Sequence, residues 1–208
     1  MNQFLPSILD WKEEGLVLEQ TTNFPREQGT TLRVNSSRSA LRTIHIRTPG
    51  WTNSASEVKI NGRALEANAD PGSYLALRRI WKDGDTITVS LPMELRQELL
   101  SGDDSVAAAL YGPLVLAADL GRAPADESSR VLQGGDPVPK KLPAADPLLK
   151  AAAGPDAKTG QWVQVDSKDD LRFTAAGENG KHSLMPMFQI SDQRYGVYWQ
   201  MQRSAKLG

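Results

Sequence analysis

The sequence predicts an all-β fold, a β-sandwich or jelly roll with one larger sandwich followed by a smaller β region. Three observations predict it. Roughly a dozen short runs alternate apolar and polar residues, turn dipeptides separate them, and scarcely any stretch keeps the 3.6-residue period of a helix. The 17 Gly and 13 Pro supply the turn chemistry. The clearest run follows the turn Asp83-Gly84-Asp85, where Ile87, Val89 and Leu91 alternate with Thr86, Thr88 and Ser90 until Pro92 stops the strand.

The remaining elements follow the same logic along the chain. Phe4 to Trp11 is an apolar stretch that reads as the tail of something rather than the start of a fold. Gly15 then releases a strand over Leu16–Thr22, closed by Asn23-Phe24-Pro25. Thr30–Val34 and Leu41–Arg47 alternate again, the second with Ile44 and Ile46 on one face and His45 and Arg47 on the other. Val58–Leu65 is a hairpin, because Asn61-Gly62 best tolerates the two positive φ values of a type I′ turn. Tyr74–Leu77 is a further strand. Glu94–Leu100, with Leu95 and Leu99 four apart, suits a short helix or an edge strand equally. Val106–Leu116 is apolar nearly throughout, as a strand buried on both faces is, although Gly112-Pro113 demands a bend or bulge. Trp162–Val165, Leu171–Thr174, Leu184–Ile190 and Tyr195–Met201 complete the strands, with turns at Asp169-Asp170, Gly177–Gly180 and Ser191-Asp192-Gln193.

This order divides the 208 residues into a sandwich domain at 1–120, a Pro- and Gly-rich linker or irregular excursion at 121–160, and a small β region at 161–208. The last of these either stands alone or returns strands to the first sandwich. Lys and Arg number 24 against 25 Asp and Glu, without long runs of one sign, so neither a nucleic-acid nor a membrane-surface partner is expected. No segment is apolar enough over a sufficient length to be a membrane-spanning helix or a signal peptide. The absence of cysteine removes disulfides, thiolate metal sites and cysteine nucleophiles together, but leaves the compartment open.

Residues able to carry chemistry are few. Asp83 with Asp85, Asp103-Asp104 and Asp169-Asp170 are the carboxylate pairs that glycoside hydrolysis would need, yet each sits in a turn where Asp bonds its own backbone. His45 and His182 lack the spacing of a metal motif and read as solvated strand residues. There is no Gly-x-Ser-x-Gly elbow and no phosphate loop, so no catalytic, cofactor-binding or metal residue is assigned. Trp51, Tyr74, Trp81, Trp162, Tyr195, Tyr198 and Trp199 are the rings available for sugar stacking, with most expected in the core.

Several stretches, in order, resemble one family. They are Ile46–Trp51 (Ile-Arg-Thr-Pro-Gly-Trp), Val58–Gly62, Gly72–Leu75, Arg79–Asp85, Leu91–Met93 with Leu95-Arg96, Val106-Ala107 with Tyr111–Ala117, and the closing Phe188–Trp199. Together they are similar to the region after the catalytic barrel in glycoside hydrolase family 127, the β-L-arabinofuranosidase-like enzymes. The resemblance implies β-sandwich domains that follow an (α/α)6 barrel. In that barrel a glutamate acid/base and a cysteine nucleophile act at a zinc site with further cysteines. This chain has neither barrel helices nor cysteine, so no catalytic position is carried over, and a C-terminal piece without catalytic activity is expected. Its expected partner is the barrel of the parent enzyme, with a second copy of the chain or a carbohydrate as further partners. Packing on a barrel predicts an apolar patch around residues 4 to 11. The alternative function is an autonomous carbohydrate-binding module. A periplasmic or extracellular parent enzyme is compatible with the sequence, with any signal upstream of it.

Overall fold

The computed structural model describes residues 1–52, 56–67, 69–121, 149–191 and 193–202. Among them helical structure is confined to three short 3-10 turns, and the rest of the regular structure is β. The chain forms two compact units, Met1–Glu94 and Leu95–Gly208.

The first unit is a sandwich of unequal sheets. Strands β1 (Ser7–Trp11), β2 (Leu16–Thr21), β3 (Gly29–Ser36), β8 (Thr86–Ser90), β5 (Glu57–Ile60) and β6 (Arg63–Ala64) lie side by side in that order as a six-stranded sheet. Strands β4 (Ala40–Arg47) and β7 (Tyr74–Trp81) form a two-stranded sheet paired over eight residues, from Ala40 opposite Trp81 to Arg47 opposite Tyr74. Alternation builds the core. Leu32 and Val34 of β3, Ile87 and Val89 of β8, and Val58 and Ile60 of β5 point inward, where they meet Ile44 and Ile46 of β4 and Leu77 and Trp81 of β7. The opposite face of the six-stranded sheet carries Thr21, Thr31 and Thr88 in one row and Glu19, Arg33 and Thr86 in the next, the polar half of the same pattern.

Turn chemistry places these strands. Asn61 and Gly62 have φ of 51° and 78° between the paired residues Ile60 and Arg63, which is the type I′ hairpin expected of Asn-Gly. The Asp83–Asp85 turn carries the chain from the small sheet into the large one, and Val34 holds it with two backbone bonds of 2.8 Å, to Gly84 and Asp85.

The second unit is a single nine-stranded sheet with branches. Strands β9 (Leu95–Leu100), β10 (Asp103–Tyr111), β11 (Leu114–Asp119), β12 (Leu149–Lys150), β13 (Val163–Ser167), β14 (Arg172–Gly177), β15 (Gly180–Pro186), β16 (Tyr195–Gly196) and β17 (Tyr198–Gln200) contribute. The path runs β12-β17-β10-β11-β15-β14-β13, with β9 paired to β10 and β16 to β11. Its core brings Tyr111 against Phe173 at 5.1 Å between ring centroids and Trp162 against Trp199 at 5.3 Å, edge to face.

Two expectations are corrected here. The boundary falls at Glu94 and Leu95 rather than at 120, because β10 and β11 pair with strands from the C-terminal half and β9 pairs with β10. Residues 161–208 follow the second of their two alternatives: β15, β16 and β17 return to β10 and β11, strands of the 1–120 stretch that belong to the second unit. The run Val106–Leu116 is two strands and not one bent strand. Gly112, at φ 54°, and Pro113 make a two-residue hairpin turn between Tyr111 and Leu114, with the positive-then-negative φ order of type II′. Glu94–Leu100 resolves as strand rather than helix. Of the Pro-rich stretch, 122–148 lies outside the described residues, as does Asp192; the part from Leu149 to Gly160 includes β12 and a bridge from Ala151 to Gly177.

Candidate functional site

The residues singled out for chemistry are dispersed and structurally occupied. Asp83 accepts the Ser36 N–H through Oδ1 at 2.9 Å. Asp85 is buried; its Oδ1 accepts from Asn61 Nδ2 at 2.8 Å and its Oδ2 from the Lys82 N–H at 2.9 Å. Burial alone would push this carboxyl up. The Asn61 and Lys82 hydrogen bonds, with the charges of Arg79 and Lys82, outweigh it and hold Asp85 below the usual carboxylate range. Asp103 accepts both the N–H and the hydroxyl of Ser105, which lowers it too. Asp170 bonds Ser167. Asp83, Asp85 and Asp170 therefore stabilise turns, whereas Asp103 and Asp104, expected in a turn, open strand β10. None of these carboxylates lines the clefts walled by Pro6 and Ser90, by Ile46 and Leu91, or by Met1 and Ile44.

His45 is exposed on the outer face of β4, as a solvated strand residue. His182 differs from that expectation: it is half-buried, with its ring edge-on to Trp199 at 5.4 Å. Among the described residues no three His, Cys, Asp or Glu side chains gather as a metal site. The zinc that the family resemblance implies does not fit this chain, which has no cysteine to supply thiolate ligands.

The aromatic pool divides sharply. Trp81, Trp162 and Trp199 are fully buried, and Trp51 stacks on Phe24 at 6.1 Å. Tyr74, Tyr195 and Tyr198 are exposed, with the Tyr74 hydroxyl donating to Asn2 Oδ1. The pool of candidate stacking rings omitted Trp11 and Phe188, both exposed.

What the first unit does assemble is an apolar surface. β1 is an edge strand, paired to β2 alone from Ser7 opposite Gln20 to Trp11 opposite Leu16, and all five of its residues are exposed. Leu5, Ile8, Leu9 and Trp11 are 55%, 70%, 52% and 48% exposed. Leu9 and Trp11 stand opposite Leu18 and Leu16 on the inward side of the sheet, and Ile8 stands opposite Glu19 on the other face. Phe4, just before them, enters the core against Phe24 at 5.8 Å and fixes the segment in place. Leu9 and Leu5 also wall a groove of about 470 Å³ with Met1, Leu18, Leu32 and Ile44. Exposed apolar residues therefore occupy 5 to 11 where a patch was expected around 4 to 11, with Phe4 buried and Ile8 on the other face from Leu9 and Trp11.

Comparison with known proteins agrees with the division into units. Residues 1–93 match the family model described as "Beta-L-arabinofuranosidase, GH127 middle domain", and residues 96–201 match a domain family of unknown function. Among solved structures, a GH127 β-L-arabinofuranosidase from Geobacillus stearothermophilus T6 superposes with a TM-score of 0.65 at 18% identity, over 96% of this chain and 33% of that one. A protein described as a glycoside hydrolase gives 0.61 at 16% identity, covering 94% of this chain and 34% of that one. Another GH127 β-arabinofuranosidase gives 0.58 at 18%, over 95% and 33%. These likenesses show the fold, and the chain spans about a third of the length of each of the three. Among curated protein sequences nothing matches. The chain thus belongs, through residues 96–201, to a domain family of unknown function, and its residues 1–93 match the middle-domain model of glycoside hydrolase family 127.

Proposed function

We propose that this chain is a non-catalytic accessory region of a family 127-type glycoside hydrolase, which braces a catalytic domain carried elsewhere in a longer protein. The observation that carries the reading is the exposed strand β1 in a domain matched to the family's middle domain. Burying Leu5, Leu9 and Trp11 against a neighbouring domain would remove apolar surface from water, worth on the order of 25 cal/mol per Å². An ordinary solvated edge strand gains nothing from such residues and risks aggregation. Catalysis is not asked of these two units, because Asp83, Asp85 and Asp103 hold local hydrogen bonds and the chain contains no cysteine.

The test has two arms. Purified as it stands, the chain should not hydrolyse 4-nitrophenyl β-L-arabinofuranoside, and turnover that co-purifies with it would end the proposal. In the longer protein, Ile8→Lys with Trp11→Lys should lower the melting temperature of the catalytic domain; an unchanged melting temperature would remove the bracing role. A second reading, carbohydrate binding by the chain itself, is favoured only by the exposed rings of Tyr195 and Tyr198. Calorimetric titration with arabino-oligosaccharides decides it, absence of heat counting against it.

A further inference from the structure

The small sheet of the first unit is open along one edge of β4, and Met1 shows what that edge accepts. The Met1 amine donates to the His45 carbonyl, and the Met1 carbonyl accepts the Arg47 N–H at 3.1 Å. Bonds from one residue to the two that flank Ile46 are those of a parallel bridge. Met1 therefore lies beside Ile46, runs in the direction of β4, and packs its side chain on the core. By the alternation of the strand, the His45 N–H, both backbone groups of Thr43 and the Leu41 carbonyl point to the same edge. None of them has a backbone partner among the described residues.

Two further observations lie along this edge. The groove walled by Leu5, Leu9, Leu18 and Ile44 begins at Met1, so apolar side chains of the large sheet stand uncovered beside unpaired backbone. Next inward from Ile44 on β4 is Arg42, whose side chain is 10% exposed; Nη2 reaches Glu14, while Nε and Nη1 are buried without a partner among the described residues. Burial also lowers the pKa of the Met1 amine, which places a partly desolvated charge where strand pairing is ordinarily made by a neutral peptide N–H.

We propose that this groove is a strand-addition site. An extended segment with apolar side chains at alternate positions adds to the β4 edge, parallel to it and in the register that Met1 sets, and closes the sandwich over Leu9 and Leu18. Resting on the function proposed above, the segment is supplied by the catalytic part of the longer protein. Main-chain bonds to Thr43 and His45 give the affinity, and the inward side chains fit the groove. In this register the residue two before the Met1 position lies opposite Ile44, donates to the Thr43 carbonyl and accepts from the His45 N–H.

The probe is six residues of alternating valine and threonine appended ahead of Met1, in both phases. With threonine adjacent to Met1, valines face the groove. This phase should slow hydrogen exchange at the Thr43 and His45 amides by at least about tenfold and raise the melting temperature, and the opposite phase should do neither. Equal behaviour of the two phases, or no protection from either, overturns the site. The longer protein separates this inference from the reading it rests on. If acrylamide no longer reaches Trp11 there, yet Thr43 and His45 exchange as fast as in this chain, the strand site is wrong and the accessory role stands. If Trp11 remains as quenchable as before, the accessory role fails, and the two extension phases judge the strand site alone.

Discussion

Asn61 bonds Asp85 through Nδ2 at 2.8 Å while its own Oδ1 accepts the Thr86 N–H at 2.8 Å, so one side chain at the tip of the β5–β6 hairpin holds the turn that leads into β8. Because the folded state favours the Asp85 anion, its carboxyl lies below its unfolded value of 3.8. The sign follows from linkage: the stabilisation is complete above the unfolded pKa and is lost as pH falls through the folded one. Asp85→Asn should therefore cost about 1 to 3 kcal/mol at neutral pH, and its deficit relative to the native chain should shrink below about pH 4. Urea unfolding at neutral and acid pH measures it. A deficit independent of pH would mean that the charge contributes nothing.

Two glycines separate backbone strain from collision. A Cβ on Gly62 meets open space, so Gly62→Ala should cost about 1 kcal/mol, from its φ of 78° alone. At Gly15 the φ is 57°, and the new Cβ would lie 2.2 Å from the Ser37 hydroxyl. Because Ser37 is exposed and its hydroxyl can rotate away, Gly15→Ala should exceed Gly62→Ala in cost only by the Ser37 hydroxyl bond to the Gly15 carbonyl, and Gly15→Ala with Ser37→Ala should be no worse than Gly15→Ala. Thermal unfolding of the three variants checks the order.

Local chemistry decided which parts of the fold were legible in the sequence. Asn61-Gly62 announced its hairpin because few other dipeptides tolerate two positive φ values, and the alternation of Thr86–Ser90 placed Ile87 and Val89 inward without reference to any partner. The division into units was illegible for the opposite reason. Proline density at 121–160 marks a break in local structure, whereas membership of a sheet is set by pairings such as Ala107 with Trp199, ninety-two positions apart in the chain. The patch at Leu5–Trp11 was legible as an apolar segment. Its exposure came from the family resemblance and not from local chemistry, since nothing local distinguishes the exposed Trp11 from the buried Trp81.

Leu171 is fully buried and yet has a φ of 53°, between β13 and β14. Its burial is worth about 1.5 to 3 kcal/mol, against a left-handed backbone that costs about 1 to 2. Alanine at this position would lose most of the burial and keep the strain, whereas glycine loses the burial but relieves the strain. Leu171→Gly should thus be no less stable than Leu171→Ala, the reverse of the order found in regular strands. Chemical denaturation of the pair tests this, and a glycine variant clearly weaker than the alanine one would show that the neighbouring turn, not Leu171, bears the strain.

Ile8 and Trp11 bear most directly on what the first unit is for. Both lie on the edge strand, and Ile8 is 70% exposed, so replacing them by lysine removes little packing within the chain. Ile8→Lys with Trp11→Lys should shift stability by no more than about 0.5 kcal/mol per site, whereas a core truncation such as Ile87→Ala should cost about 2 to 5 kcal/mol. The same two lysines blunt a strand edge that is otherwise apolar and unpaired on one side, so self-association should fall as well. Sedimentation across a range of concentrations, beside urea unfolding, measures both. A large loss of stability would place β1 among the elements that hold this unit together, whereas near-neutral stability with reduced association would identify its side chains as a surface meant for a partner.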